Sequence, residues 1–378
     1  MNMDLANAMR AATQLTRAQK LMEATRVLQS ALSGRQVAPS PPPHGTKQWT
    51  GPVNGLVGTL PRSNFDSFNL DALAGFKPRK ALKIAEGAQF ISRSFACAAG
   101  SRSYRLYIPN RHAIGRRGLI VMLHGGMQDG DNFAAGTRMN DLAEKHGLLV
   151  AYPSQSKAAN ASLCWNWFTP ENQIRGAGEP SIIAGITKDI IATYDIDPAR
   201  VFVAGLSAGG AMAAVMGATY PDLYAAVGVH SGLPYKSAAD LPSAFAAMRG
   251  DGGPLGLRLR KSPSVANDGP RIRTIVFHGD ADNIVHPSNA ASIVGTAEEG
   301  ENVESAETRN AAARRHTRTV TRDTTGKVVM EQWLIHGGGH AWSGGSRDGT
   351  YTDPQGPDAS SEMLRFFLEE RVELAGSE

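Results

Sequence analysis

The chain has 378 residues, 42% apolar and 20% charged, the profile of a globular protein with room for one large domain or two ordinary ones. A net charge of +4 over well-mixed acidic and basic residues argues against a nucleic-acid partner, and the basic clusters at 111–117 and 314–318 lack aromatic interleaving. No run approaches about 18 consecutive apolar residues, so no transmembrane helix is expected. The two cysteines, Cys97 and Cys164, are too few for a disulfide scaffold and could be paired or free.

Residues 1–36 read as an amphipathic helix, with Leu5, Met9, Ala12, Leu15, Met22 and Leu28 along one stripe. Charges recur through it, so it lacks the apolar core of a secretory signal, and a cytoplasmic location is expected. Its first 33 residues could pack within a homo-oligomer or dock on a granule surface. Residues 37–89 open with "VAPSPPPHGTKQWTGPVNG", a Pro/Gly-rich linker or wrap. From residue 90 to 378 the texture is that of a catalytic domain. "SYRLYIP" (103–109) alternates like an edge strand, and "GLIVMLHG" (118–125) is a buried run. "DNFAAGTRMNDLAEKHG" reads as one helix with Asp131 as its N-cap, and "LLVAYP" as the next strand. A helix from Ser181, the strand "ARVFVAG", the helix "AGGAMAAVMGATY" and the strands "YAAVGVHSG", "RIRTIVFHGD" and "KVVMEQWLIHGG" complete the pattern. Alternating strands and helices of this kind specify an α/β class with a doubly wound, mostly parallel sheet. Residues 235–269 insert between two strands and are placed to cap a groove at the sheet edge.

Gly205-Leu206-Ser207-Ala208-Gly209 falls where a strand meets a helix, the setting of a nucleophile elbow. A serine there projects from a sharp turn, with the free N–H groups of the new helix aimed at a developing oxyanion. A hydroxyl needs a base and the base an orienting acid, in the chain order Ser, acid, His for such sheets. The strand ending at Gly279 leads into Asp280 and Asp282. Asp280 could be a loop-capping residue, and Asp282, farther out, is preferred as the acid. The strand ending near Ile335 leads into His336, which closes it, and His340, which lies in a Gly-rich loop able to bend back over the sheet and is preferred as the base. "LHGG" supplies the second oxyanion donor, Gly126 beside Ala208, with His124 structural. No metal-ligand spacing and no phosphate-cradling loop is present, so no cofactor and no metal are expected.

"LHGGMQDGDNFAAGTRMNDLAEKHGLLVAYP", "CWNWFTPENQIRGAGEPSIIAGITKDI", the elbow segment, "FHGDADNIV" and "GGGHAWSGG" together resemble the poly(3-hydroxybutyrate) depolymerase-family esterases, relatives of the feruloyl and acetylxylan esterases, over about residues 90–370. The resemblance implies an α/β-hydrolase fold and serine esterase chemistry with Ser207, Asp282 and His340 as triad. It suggests Trp165, Trp167 and Trp342 as aromatic walls of the substrate groove. The family's H-G-C-x-Q loop is H-G-G-M-Q here, which removes the partner expected for Cys164. The expected substrate is a hydroxyalkanoate ester, oligomer or polyester. The alternatives are a feruloyl, aryl or short-chain ester, or a non-catalytic granule- or surface-binding role.

Overall fold

The computed structural model describes residues 82–111, 116–250, 272–295, 299–308 and 314–369. The helix expected over 1–36 and most of the segment 37–89 lie outside the described residues. At the centre is a sheet of six parallel strands: β3 (Arg117–Leu123), β4 (Leu149–Pro153), β5 (Ile196–Leu206), β6 (Ala226–His230), β7 (Arg273–Gly279) and β10 (Val328–Ile335). Two antiparallel strands extend it on each side. β1 (Gln89–Cys97) and β2 (Gly100–Ile108) lie beyond β4, and β9 (His316–Arg322) and β8 (Asn302–Thr308) lie beyond β10. The order is β1-β2-β4-β3-β5-β6-β7-β10-β9-β8.

Strand periodicity divides the core into two layers. Leu119, Val121, Leu123, Val201 and Val203 point to one face, where α3 (Gly178–Tyr194) and α4 (Ala208–Thr219) cover them. Ile120, Met122, Phe202, Ala204 and Leu206 point to the other. They pack there against α1 (Gly130–Thr137), α2 (Met139–His146) and α7 (Ala359–Leu368). Because both faces are covered, the parallel strands read as unbroken apolar runs, which is why the sequence exposes them.

Three expectations change. β2 is not the sheet edge, since β1 pairs along its full length from Gln89↔Ile108 to Cys97↔Gly100. The helix expected over 131–147 is two helices, broken at Arg138, whose φ of 55° is left-handed, and the first is capped by the Asp129 side chain accepting from Asn132 N–H, not by Asp131. Strands β8 and β9 were not foreseen. β8 is exposed along its whole length, so it carries none of the apolar alternation that marks a half-buried strand. The cap expected over 235–269 contributes one described helix, α5 (Leu241–Met248), and residues 251–269 lie outside the described residues. Its neighbour α6 (Ser288–Val294) joins it through Asn289, whose side-chain amide donates to Ala247 O at 2.9 Å.

Candidate active site

Ser207 stands between β5 and α4 with φ 56° and ψ −120°, a conformation that a non-glycine residue holds only when its surroundings impose it. The surroundings are backbone. A Cβ at Gly205 would strike the main chain of Gly209, and one at Gly209 would strike Leu123 O, so the turn closes only with glycine on both sides. Ser207 N–H donates to His230 O at 2.9 Å, which fixes the turn to the end of β6.

The loop after β3 is equally constrained. Gly125 N–H donates to Gln128 Oε1 at 2.9 Å and Met127 N–H to Ser162 O at 2.8 Å. His124 brackets the loop from behind: its Nδ1–H donates to Gly125 O at 2.7 Å and its Nε2 accepts from Gln155 N–H at 3.0 Å. Burial pushes His124 down to about 4, outweighing the opposing hydrogen bond to Gly125, so it is a neutral structural residue. Among the described residues no acceptor meets the N–H of Gly126 or of Ala208. Ala208 follows Ser207 directly, and Gly126 follows Gly125, at which a Cβ would lie 3.5 Å from Ser207 Cβ, so both free donors belong to segments that meet at the serine.

Asp282 and His340 come together. His340 Nδ1–H donates to Asp282 Oδ2 at 2.8 Å, and the carboxylate, 4% exposed, also accepts from Ile284 N–H and Val285 N–H through Oδ1. His278 Nε2, which donates to Val285 O at 2.8 Å, lies 3.4 Å from Asp282 Oδ2. Burial by itself would raise the Asp282 carboxyl, but the hydrogen bonds from His278 and His340, and the attraction of the His340 ring in its protonated form, hold it well below the usual carboxylate range. The loop carrying His340 folds back across the strand ends, since Ser343 N–H donates to the ring of His230, the β6 residue whose carbonyl holds Ser207. The other two candidates pair separately. His336 Nδ1 meets Asp280 Oδ2 at 2.8 Å and Gly337 N–H donates to Asp280 Oδ1, a half-exposed latch between the β7 and β10 loops.

The three tryptophans do not line a groove. Trp165 is 0% exposed and packs on His124, with ring centroids 5.6 Å apart; Trp342 is 1% exposed, between Phe133 and His230, its Nε1–H donating to Ser360 Oγ; Trp167 is 6% exposed against Phe168. Buried to this extent, they are core residues beneath the loops. Exposed apolar groups beside the site include Met127 at 56%, next to Gly126, Tyr351 at 43%, edge-on to His340 with centroids 6.5 Å apart, and Ile284 at 38%, whose N–H donates to Asp282. Met127 and Tyr351 hold left-handed backbone, φ 62° and 53°. Gln128 joins their loops by donating to Thr350 O at 2.9 Å.

Sequence reasoning also missed Glu179. This buried carboxylate accepts from Arg102, Gln155 and both the backbone and side-chain N–H groups of Asn166, tying "CWNWF" to β2 and α3. Both cysteines are free. Cys97 is exposed, and Cys164 lies against Gly126, with burial pushing its thiol up to about 11. No three His, Cys, Asp or Glu side chains among the described residues converge to hold a metal ion, and no described helix is long and apolar enough to cross a membrane.

The profile of the family described as "Esterase PHB depolymerase" matches residues 102–317, more than half of the chain. The chain belongs to this family. Among its relatives, poly(3-hydroxyalkanoate) depolymerase C of Paucimonas lemoignei is 32% identical over 246 residues, which are 62% of this chain and 56% of that protein. Feruloyl esterase B of Neurospora crassa is 33% identical over 192 residues, 48% of this chain and 64% of that one. The chain thus spans about half to two thirds of the curated relatives it matches. Among solved structures, the acetyl xylan esterase from Aspergillus awamori superposes with a TM-score of 0.57 at 21% identity, covering 74% of this chain and 98% of that one. That likeness shows a shared α/β-hydrolase fold. The family match includes Gly126, Ser207, Ala208 and Asp282, and His340 lies beyond its end.

Proposed function

We propose that this member of the PHB depolymerase esterase family is a serine carboxylester hydrolase acting on hydroxyalkanoate esters, whether oligomer or polyester. The observation that carries the reading is the buried Asp282–His340 pair, on a loop fastened to the strand end that also fastens Ser207. In this reading His340 Nε2 takes the Ser207 proton as Oγ attacks the ester carbonyl, and Asp282 keeps the imidazole in the required tautomer and stabilises its cation. The N–H groups of Gly126 and Ala208 receive the oxyanion. His340 then protonates the leaving alkoxide, and water repeats the sequence on the acyl-enzyme. Family membership and the depolymerase relative support a hydroxyalkanoate acyl group. The feruloyl and acetylxylan esterase relatives support aryl or short-chain esters as the second reading.

A fluorophosphonate probe followed by peptide mapping tests the chemistry, with Ser207→Ala as control; label at Ser207 and a loss of roughly 1,000-fold or more in turnover are expected. Full activity in Ser207→Ala refutes it. Hydroxybutyrate oligomers assayed beside feruloyl and acetyl esters decide the substrate. The proposed docking role of residues 1–33 is separate, and is tested by co-sedimentation of the full chain with polyester granules, before and after deletion of those residues.

A further inference from the structure

His230 is wholly buried at the end of β6 and takes no direct part in the proposed reaction, yet the backbone of both segments that carry the proposed reacting groups is bonded to it. Its carbonyl accepts from Ser207 N–H at 2.9 Å. Its ring Nε2 accepts at 3.0 Å from Ser343 N–H, three residues beyond His340. A backbone N–H can only donate, so Nε2 carries no proton and the neutral ring is protonated at Nδ1, which lies 3.2 Å from Ser231 Oγ. The buried ring is stacked between Trp342 at 5.1 Å and Phe277 at 5.8 Å. Ser231, the next residue, holds left-handed backbone with φ 47°, so the chain around the ring is itself constrained.

We propose that His230 is a positioning residue: its backbone carbonyl holds the Ser207 turn and its ring holds the His340 loop, so that one residue joins the two, and its side chain sets where the base lies relative to the nucleophile. The inference rests on the reading of Ser207 and His340 given above. Asp282 holds His340 from the β7 side, and the Ser343–His230 bond holds the same loop from the β6 side. A loop tethered at two points cannot swing the imidazole away from the serine, and misplacement of about 1 Å at such a centre costs about 100-fold in rate. Burial first, and then the nearby His278 and His340, push His230 down to about 3, against a smaller upward pull from Asp282. The ring therefore stays an uncharged acceptor while His340 gains and loses its proton beside it.

Three variants separate positioning from packing. Gln at 230 places an amide atom near the Nε2 position and can still accept from Ser343 N–H; Asn reaches only the Nδ1 position, and Leu has no acceptor. His230→Gln is expected to keep kcat within about threefold of the parent. His230→Asn and His230→Leu should lower kcat and the rate of fluorophosphonate labelling at Ser207 together, by about 10- to 100-fold, with KM within twofold. Equal kcat in the Gln and Asn variants, or a loss confined to KM, overturns the proposal. Should the variants unfold, nitrogen-15 NMR of the histidine-labelled parent decides it: a proton on Nδ1 with bare Nε2 at His230 is required, and the opposite tautomer overturns it. Failure of the parent to label at Ser207 would instead count against the assigned nucleophile.

Discussion

Replacing Asp282 by Asn tests the proposed site most sharply, because the structure dictates which way the new amide must face. Oδ1 of Asp282 accepts from Ile284 N–H at 3.0 Å and Val285 N–H at 2.9 Å, so only an oxygen can stay there. The amide NH2 must then point at His340 Nδ1, now 2.8 Å from Oδ2, and toward His278 Nε2. Donor would face donor. His340 relieves this by moving its proton to Nε2, which leaves Nδ1 as the acceptor and removes the lone pair that should take the Ser207 proton. The same exchange in Ser-His-Asp triads lowers kcat about 10,000-fold, or about 5 kcal/mol of transition-state stabilisation. The assay is kcat on a soluble hydroxybutyrate ester at pH 7, beside fluorophosphonate labelling and a thermal melt. A folded variant within about tenfold of parental kcat would falsify the assignment of Asp282. Acid sensitivity follows from the same group. Its folded pKa is depressed, so its stabilisation is complete above the unfolded value of about 3.9 and is lost as the pH falls below it toward the folded value. Between about pH 5 and pH 3 the parent should therefore lose more Tm than Asp282→Asn.

Other outcomes follow from the contacts around the site. A Cβ at Gly126 would lie 2.5 Å from Cys164 Sγ, and the glycine does not occupy left-handed backbone, so Gly126→Cys should close a disulfide. On denaturation without reductant it should show one free thiol where the parent shows two, with a gain of about 3–4 kcal/mol from closing the loop; three free thiols contradict the geometry. Glu179→Gln removes the charge that Arg102 meets at 3.1 Å in a buried setting, which should cost about 3 kcal/mol and lower Tm by roughly 6–12 °C; a melt within about 2 °C of the parent refutes the role given to this carboxylate. Tyr351→Ala removes the exposed ring beside the proposed base. It should raise KM for esters of bulky apolar alcohols by about three- to tenfold relative to methyl esters of the same acid, and leave hydrolysis of a shared acyl-enzyme unchanged. An equal effect across the alcohol series places the ring outside the groove.

The central parallel strands were legible because burial on both faces leaves continuous apolar runs, and the elbow because its glycines are demanded by backbone contacts rather than by taste for flexibility. Strands β1 and β8 were not legible, since edge positions bury little and leave no alternation to read. The preference for Asp282 and His340 agrees with their burial and mutual bond, whereas Asp280 and His336 form the more exposed pair. The tryptophans were suggested by the family resemblance, which does not say which way an indole faces, and all three are buried here. His230 was invisible as anything but a strand residue, because its two attachments depend on the register of β5, β6 and a segment more than a hundred residues later.

Gln128 and Thr350, which join the loop after β3 to the loop after β10, are 222 residues apart, and Thr137 and Ser360 are bonded across 223. Contacts of such span close very long loops, the non-local kind of pairing that slows folding. A nascent chain that has emerged only as far as α4 holds Ser207 and its neighbouring amides, but not Thr350, which braces Gln128, nor His340. On the proposed reading, a chain interrupted before residue 340 carries the serine without its base.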